Sequence, residues 1–161
     1  MISICLLTKN ENRYLREWVQ HHISIGIDHF YIYDNNDVAS AEREVLKYFD
    51  SNLFTFVHWT SFCNHMQIEA YNDCLTRFGS ENDWIAFVDT DEFINCEDIH
   101  ESLGKYKQYD FVRIPWVTHN ANGKVYSTDQ DVRERFSRIC PNPPENACYK
   151  SIVQPSKIVR I

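Results

Sequence analysis

Apolar residues along this chain fall into short continuous runs that alternate with segments of helical spacing. The first run, Ile2 to Leu7, ends in Thr8-Lys9-Asn10-Glu11, which predicts a buried strand feeding a polar loop. Leu15, Trp18, Val19, His22 and Ile25 then recur at helical spacing, with Asn10 or Asn12 available to cap the start and Gly26 to end the helix. His29 to Tyr33 is aromatic and β-branched and runs into Asp34-Asn35-Asn36-Asp37, a second strand and its turn. Ala39 to Phe49 predicts a second helix and Leu53 to Trp59 a third strand. Ile68, Tyr71, Leu75 and Phe78 mark a third helix that stops at Gly79. Trp84 to Val88 is a fourth apolar run, followed at once by Asp89-Thr90-Asp91-Glu92-Phe93-Ile94. A helix around Ile99 to Tyr106, a strand over Asp110 to Trp116 and strand fragments between Pro- and Asn-rich turns complete the pattern. The alternation is that of βαβ units, so the strands are expected to be parallel and covered on both faces.

At 161 residues, with 43% hydrophobic, 14% aromatic and 24% charged positions, the chain has the length and content of one aromatic-rich folded domain, 1–161. The net charge of −7 argues against a nucleic-acid partner bound through a general basic face. Where the charges lie says more. Eight acids and no Lys or Arg occupy the stretch from Glu81 to Glu101, whereas Val132 to Ile161 carries six bases against Glu134 and Glu145. Opposite fields within one domain suit a metal beside an anion. The N-terminus has no secretory pattern and no apolar run reaches membrane-spanning length. The six cysteines include no C-x-x-C pair, which points to a reduced, cytoplasmic location, at most in contact with the inner face of a membrane.

In an open α/β sheet, ligands bind outside the carboxyl ends of the strands. The polar residues there are Thr8, Lys9, Asn10 and Glu11 after the first strand, Asp34, Asn35 and Asn36 after the second, and Asp89 and Asp91 after the fourth. Asp89 and Asp91 stand two positions apart on an extended segment, so they face the same way with Cα atoms ~6.5 to 7 Å apart. A hard cation, Mn²⁺ or Mg²⁺, would relieve their repulsion while bridging a diphosphate. The other reading is a pair of solvated loop acids. The histidines spell no zinc site.

Thr8-Lys9-Asn10-Glu11, Tyr33-Asp34-Asn35-Asn36, Gln67 with Tyr71-Asn72, and Trp84-Ile85-Ala86-Phe87-Val88-Asp89-Thr90-Asp91-Glu92-Phe93 together resemble the GT-A glycosyltransferases of the family-2-like and family-92 group. The likeness continues more weakly through Arg113-Ile114-Pro115-Trp116, Glu134-Arg135-Phe136 and Tyr149-Lys150-Ser151-Ile152-Val153, and so covers nearly the whole chain. It implies a Rossmann-like, mostly parallel sheet flanked by helices, and transfer of a sugar from a nucleotide-diphosphate donor, a UDP-sugar, to a glycan or glycolipid. By resemblance, Asp89 and Asp91 hold the metal, and Thr8, Asn10, Glu11, Asp34, Gln67, Asp89 and Lys150 serve the nucleotide. For Glu11 and Asp34, helix capping and an Asx turn are equally good explanations. Glu134 is the candidate base for the acceptor hydroxyl, against an ion pair with Arg138. Trp116 and His119 are candidate sugar or acceptor contacts, and core packing explains Trp116 as well. Such enzymes commonly extend past the Lys-Ser-Ile-Val segment, whereas this sequence stops at Ile161 inside a strand-like run, so truncation at the C-terminus is an expectation.

Two other functions compete. A haloacid-dehalogenase-type phosphatase also places Asp-x-Asp after an apolar strand, but near its N-terminus and with a later paired-Asp motif, both missing here. A non-catalytic nucleotide-sugar-binding module would keep the crevice without the acceptor side.

Overall fold

The computed structural model describes residues 1–61, 63–120, 123, 130–140, 148–158 and 160–161. The elements are β1 (Ile2–Thr8), α1 (Asn12–Ser24), β2 (His29–Asp34), α2 (Ala41–Val45), β3 (Phe54–His58), α3 (Met66–Phe78), β4 (Trp84–Phe87), α4 (Ile99–Gly104), β5 (Phe111–Pro115), β6 (His119–Asn120), α5 (Val132–Arg135), β7 (Arg138–Ile139) and β8 (Tyr149–Val153). Six strands form one sheet in the order β3-β2-β1-β4-β8-β5, while β6 and β7 pair separately. The pairs among β1 to β4 are parallel, as the alternation predicts. The exception is β8, which runs antiparallel between β4 and β5. Among the described residues no helix is long and apolar enough to cross a membrane.

Strand residues alternate between two cores, because successive side chains leave a strand on opposite faces. Ile2, Ile4, Leu6, Phe30, Ile32, Trp84 and Ala86 pack with Leu15, Trp18 and Val19 of α1. Cys5, Tyr31, Tyr33, Ile85 and Phe87 pack with Ala70, Tyr71 and Cys74 of α3. Burial on both faces is why these strands read as continuous apolar runs.

Several boundaries differ from the pattern. Neither Asn10 nor Asn12 caps α1: Glu11 holds the cap position without a side-chain bond, and Asn10 takes a positive φ of 60°. The Asn10 amide donates to Asn36 Oδ1, and the Asn12 amide nitrogen to Ser40 Oγ, so both residues tie the first loop to the second instead. Gly26 ends the turn after α1 at φ 96°, where a Cβ would be strained. The second helix is confined to Ala41–Val45, its start fixed by Asp34 Oδ2, which accepts from the Ser40 and Ala41 amides. On α3 the buried face is Ala70, Tyr71 and Cys74, while Ile68 is 45% exposed. Small residues let this helix lie close against the tyrosines of β2, which turns Ile68 outward.

Candidate functional site

The carboxyl ends of β1, β2 and β4 and the start of α3 enclose an open cleft of about 400 Å³. Lys9, Glu11, Asn35, Gln67, Asp89 and Asp91 supply its polar wall, Leu7 and Met66 its apolar one. Four separate segments thus converge where a parallel sheet offers its crevice.

Asp89 is the centre of a bonded cluster. Its Oδ1 accepts from Gln67 Nε2 at 2.8 Å, with the Tyr71 hydroxyl at 3.5 Å, and its Oδ2 accepts from Lys150 Nζ at 2.5 Å. Glu92 closes the turn back on itself: its Oε2 accepts from the Asp89 amide at 2.9 Å and lies 3.1 Å from the same ammonium. Burial lowers the affinity of Lys150 for its proton, but the bond and charge of Asp89, with the charge of Glu92, outweigh burial and raise its pKa above the ordinary lysine value. Burial and the charge of Asp89 raise Glu92 above the usual carboxylate range, against the Asp89 amide and Lys150, which pull it down. Burial likewise pushes the Tyr71 phenol up, helped by Asp89. Asp91 is exposed at the rim, and no hydrogen bond or ion pair reaches its carboxylate among the described residues.

The position of Lys150 follows from strand direction. In the β4–β8 pairing Phe87 lies opposite Ser151, so an antiparallel β8 brings Lys150, 61 residues on, to the carboxyl end of β4. A parallel β8 would have carried it to the opposite edge. The pairing of β5 with β8 sets Pro115 opposite Tyr149, and Trp116, 48% exposed, has its ring centroid 5.8 Å from Lys150 Nζ.

The backbone of the Asp89–Glu92 turn is held from behind. Trp18 Nε1 donates to the carbonyls of both Asp89 (2.8 Å) and Glu92 (3.0 Å). From the same helix, His22 takes the Ile94 amide at 3.4 Å and His21 Nε2 lies 2.8 Å from the Ile94 carbonyl. Glu17 accepts from the Val132 and Arg133 amides, docking α5 on α1. Trp18 and Glu17 escaped the sequence reading, in which Trp18 counted as core. A buried indole nitrogen needing an acceptor is the signal that points to Trp18.

The other candidate residues are less gathered. Glu11 lines the cleft and its Oε2 accepts from Thr90 Oγ1 at 2.6 Å. Asp34 is buried, and its two oxygens accept from the Asn36 amide and side chain and from the Ser40 and Ala41 amides. Burial raises its pKa, but those donors outweigh it and hold the carboxyl below its ordinary value. With its lone pairs so spent, Asp34 builds the turn, as the Asx-turn reading expects, and it is not among the residues that line the cleft. Thr8 is buried with its hydroxyl unpartnered. Asn10 is exposed beside the cleft residues but not among those that line it. Asn35 lines the cleft, is 2% exposed, and gives both amide protons to the carbonyls of Trp59 and Ser61, leaving a buried Oδ1 without a donor. Glu134 stands exposed on α5, outside the cleft lining, and the ion pair with Arg138 is not formed, since the helix ends at Arg135. His119 lies on β6, its Nδ1 2.8 Å from the Phe136 carbonyl.

Among the described residues no three His, Cys, Asp or Glu side chains are placed to cage a metal by themselves. Asp89 and Asp91 do not lie on the extended segment that the sequence suggests, since the Glu92 amide donates to the Asp89 carbonyl and folds the segment into a turn, but both border the cleft, where each could give a carboxylate to a cation. That fits a cation whose remaining ligands are phosphate oxygens and water, the usual arrangement for Mg²⁺ on a nucleotide.

Known proteins give the context. Two solved structures share the fold at low identity. A 4-diphosphocytidyl-2C-methyl-D-erythritol synthase from Anaerococcus prevotii superposes with a TM-score of 0.57 at 10% identity, over 99% of this chain and 72% of that one. A putative glucose-1-phosphate thymidylyltransferase from Bacillus anthracis gives 0.53 at 11%, over 97% and 72%. The architecture is therefore the Rossmann-like α/β sheet of GT-A type. A glycosyltransferase family 92 protein of Oryza sativa subsp. japonica is 33% identical over 98% of this chain, and one of Arabidopsis thaliana 28% over 96%. The galactan beta-1,4-galactosyltransferase GALS3 of Arabidopsis thaliana is 26% identical over 63% of this chain and 23% of its own length. The chain spans about a quarter of the length of the family 92 relatives, 27% and 28%. The family model of glycosyltransferase family 92 matches residues 1–161, and this chain belongs to that family.

Proposed function

We propose that the cleft binds a nucleotide-diphosphate sugar, a UDP-sugar, and that the sugar passes to a glycan or glycolipid acceptor, with Mn²⁺ or Mg²⁺ held by Asp89 and Asp91. The convergence of Glu11, Asn35, Gln67, Asp89 and Asp91 on one open cleft at the carboxyl ends of parallel strands carries this reading. The galactan galactosyl transfer named for the Arabidopsis relatives supports a glycan acceptor.

Each residue has a part that its surroundings suit. Asn35 is fixed by its two carbonyl partners, and its orphaned Oδ1, buried in this structure, becomes an acceptor for an N–H on a base such as uracil once the loop over it opens. Gln67 holds Asp89 Oδ1 and so sets the carboxylate plane. When bound, the cation would neutralise the diphosphate and steady it as a leaving group. Lys150, on the same rim, offers an ammonium to a phosphate oxygen. Trp116 beside it presents a flat apolar face of the kind on which a sugar ring packs. Glu134, exposed on α5, is the candidate to deprotonate the acceptor hydroxyl.

The test is thermal shift and calorimetry with UDP, with and without Mn²⁺. Ligand at about 100 times Kd adds about 2.7 kcal/mol to the native state. Binding is expected to tighten with Mn²⁺, Asp91→Asn to lose that gain, and UDP-sugar to be hydrolysed slowly without acceptor. No UDP binding in either condition overturns the reading, and hydrolysis of simple phosphomonoesters would point to a phosphatase.

A further inference from the structure

Lys150 sits where an incoming cation would sit. Its ammonium lies 2.5 Å from Asp89 Oδ2 and 3.1 Å from Glu92 Oε2, on a side chain 19% exposed, while Asp89 is the inner carboxylate of the Asp89/Asp91 pair. An ammonium and a dication on the same carboxylate oxygen would lie within contact distance of each other and repel, so a metal on Asp89 Oδ2 works against this contact. We infer that Lys150 is the resident counter-ion of Asp89 and that it makes metal and diphosphate binding depend on each other. The inference rests on the nucleotide-diphosphate reading of the cleft and adds the rule by which that cleft fills.

The argument is one of linkage. Without nucleotide, a divalent cation reaches Asp89 only by expelling the ammonium, which is left beside Glu92 with one anionic contact where it had two. Without metal, a diphosphate meets an ammonium already neutralised by two carboxylates. When both arrive, Asp89 exchanges the ammonium for the cation and the ammonium exchanges Asp89 for a phosphate oxygen, so no charge is stranded. Each ligand therefore removes the obstacle to the other, and the coupling is reciprocal. The strand that carries Lys150 is paired with β5 at Lys150 itself and with β4 from Ser151 on, so the exchange needs only the side chain to swing.

Two variants of the full chain read the inference with opposite signs. Lys150→Met is expected to bind Mn²⁺ alone on the order of tenfold more tightly than wild type, by electron paramagnetic resonance of free Mn²⁺, while UDP enhances that binding less. Asp89→Asn, nearly isosteric and so the safer folder, is expected to bind metal-free UDP several-fold more tightly than wild type, because the ammonium is released toward phosphate, and to lose the Mn²⁺ effect. Lys150→Arg keeps the charge and should behave as wild type in bare Mn²⁺ binding. Unchanged or weaker Mn²⁺ binding by a folded Lys150→Met, or metal-free UDP binding by Asp89→Asn no better than wild type, overturns the inference even where wild type binds UDP with Mn²⁺ normally. Should wild type bind UDP under no condition, the nucleotide reading and the coupling built on it fall together.

Discussion

Asp34 shows how one side chain is claimed by structure in a place where chemistry was equally plausible. It follows a buried strand at the mouth of the cleft, the address of a ligand-binding carboxylate, yet both oxygens face amides of its own loop and of the α2 start. Asp34→Ala would strand the Ser40 and Ala41 amides, at a cost of about 1 to 3 kcal/mol in urea unfolding. Metal-dependent UDP affinity in the folded variant should change little beyond that loss. A variant that keeps full stability but no longer binds UDP would return Asp34 to the ligand set. Asp91 is the converse case, an exposed carboxylate on the cleft wall that structure leaves unspent. For Asp89, Asp91 and Glu11 the address was legible in the sequence because each follows an apolar run, whereas Gln67, on a helix, was reached only through the family resemblance. Which of these carboxylates keeps its lone pairs was not legible, since that depends on amides many residues away.

At the scale of elements, α1 is the support of the site. Its apolar stripe was readable from Leu15, Trp18, Val19 and His22, all of them buried, but periodicity assigns a stripe only to the core. The polar ends of that stripe do something further: the Trp18 indole bridges two carbonyls of the Asp89–Glu92 turn. Trp18→Phe keeps an aromatic ring and removes the donor and part of the volume. It should cost about 2 kcal/mol or more in stability and weaken Mn²⁺-dependent UDP binding several-fold in the folded fraction. A variant of lowered melting temperature with undiminished affinity would show that the indole fills space and positions nothing. The strands were the most legible elements, because burial on both faces marks an apolar run of five or six residues plainly. The second helix was the least: its apolar spacing extends to Phe49, but Phe49 packs on Phe54 from a turn, outside the helix.

At the scale of the whole molecule, acid should loosen the fold through His22. It is fully buried, and burial, helped by the neighbouring His21 and Arg133 charges, takes its pKa down to about 3 despite a bond to the Trp18 carbonyl. The unfolded chain therefore binds this proton from about pH 6.5 downward while the native state refuses it. Stability from this residue is whole above pH 6.5, declines as pH falls from there, and stops declining near pH 3. The melting temperature of His22→Gln is accordingly expected to vary less than that of wild type between pH 6.5 and 4. Equal slopes would show that other groups set the acid response. The global architecture divides along the same line as the site. Local pattern alone determined the βαβ order, the two-sided burial of β1, β2 and β4 and the carboxylates at the tip of β4, because strand period, helix period and turn chemistry act over a few residues. The order of strands in the sheet, the reversed direction of β8 and the arrival of Lys150 and Trp116 beside Asp89 were decided only by tertiary pairing, because a strand's own side chains do not specify which neighbour it joins or which way it runs.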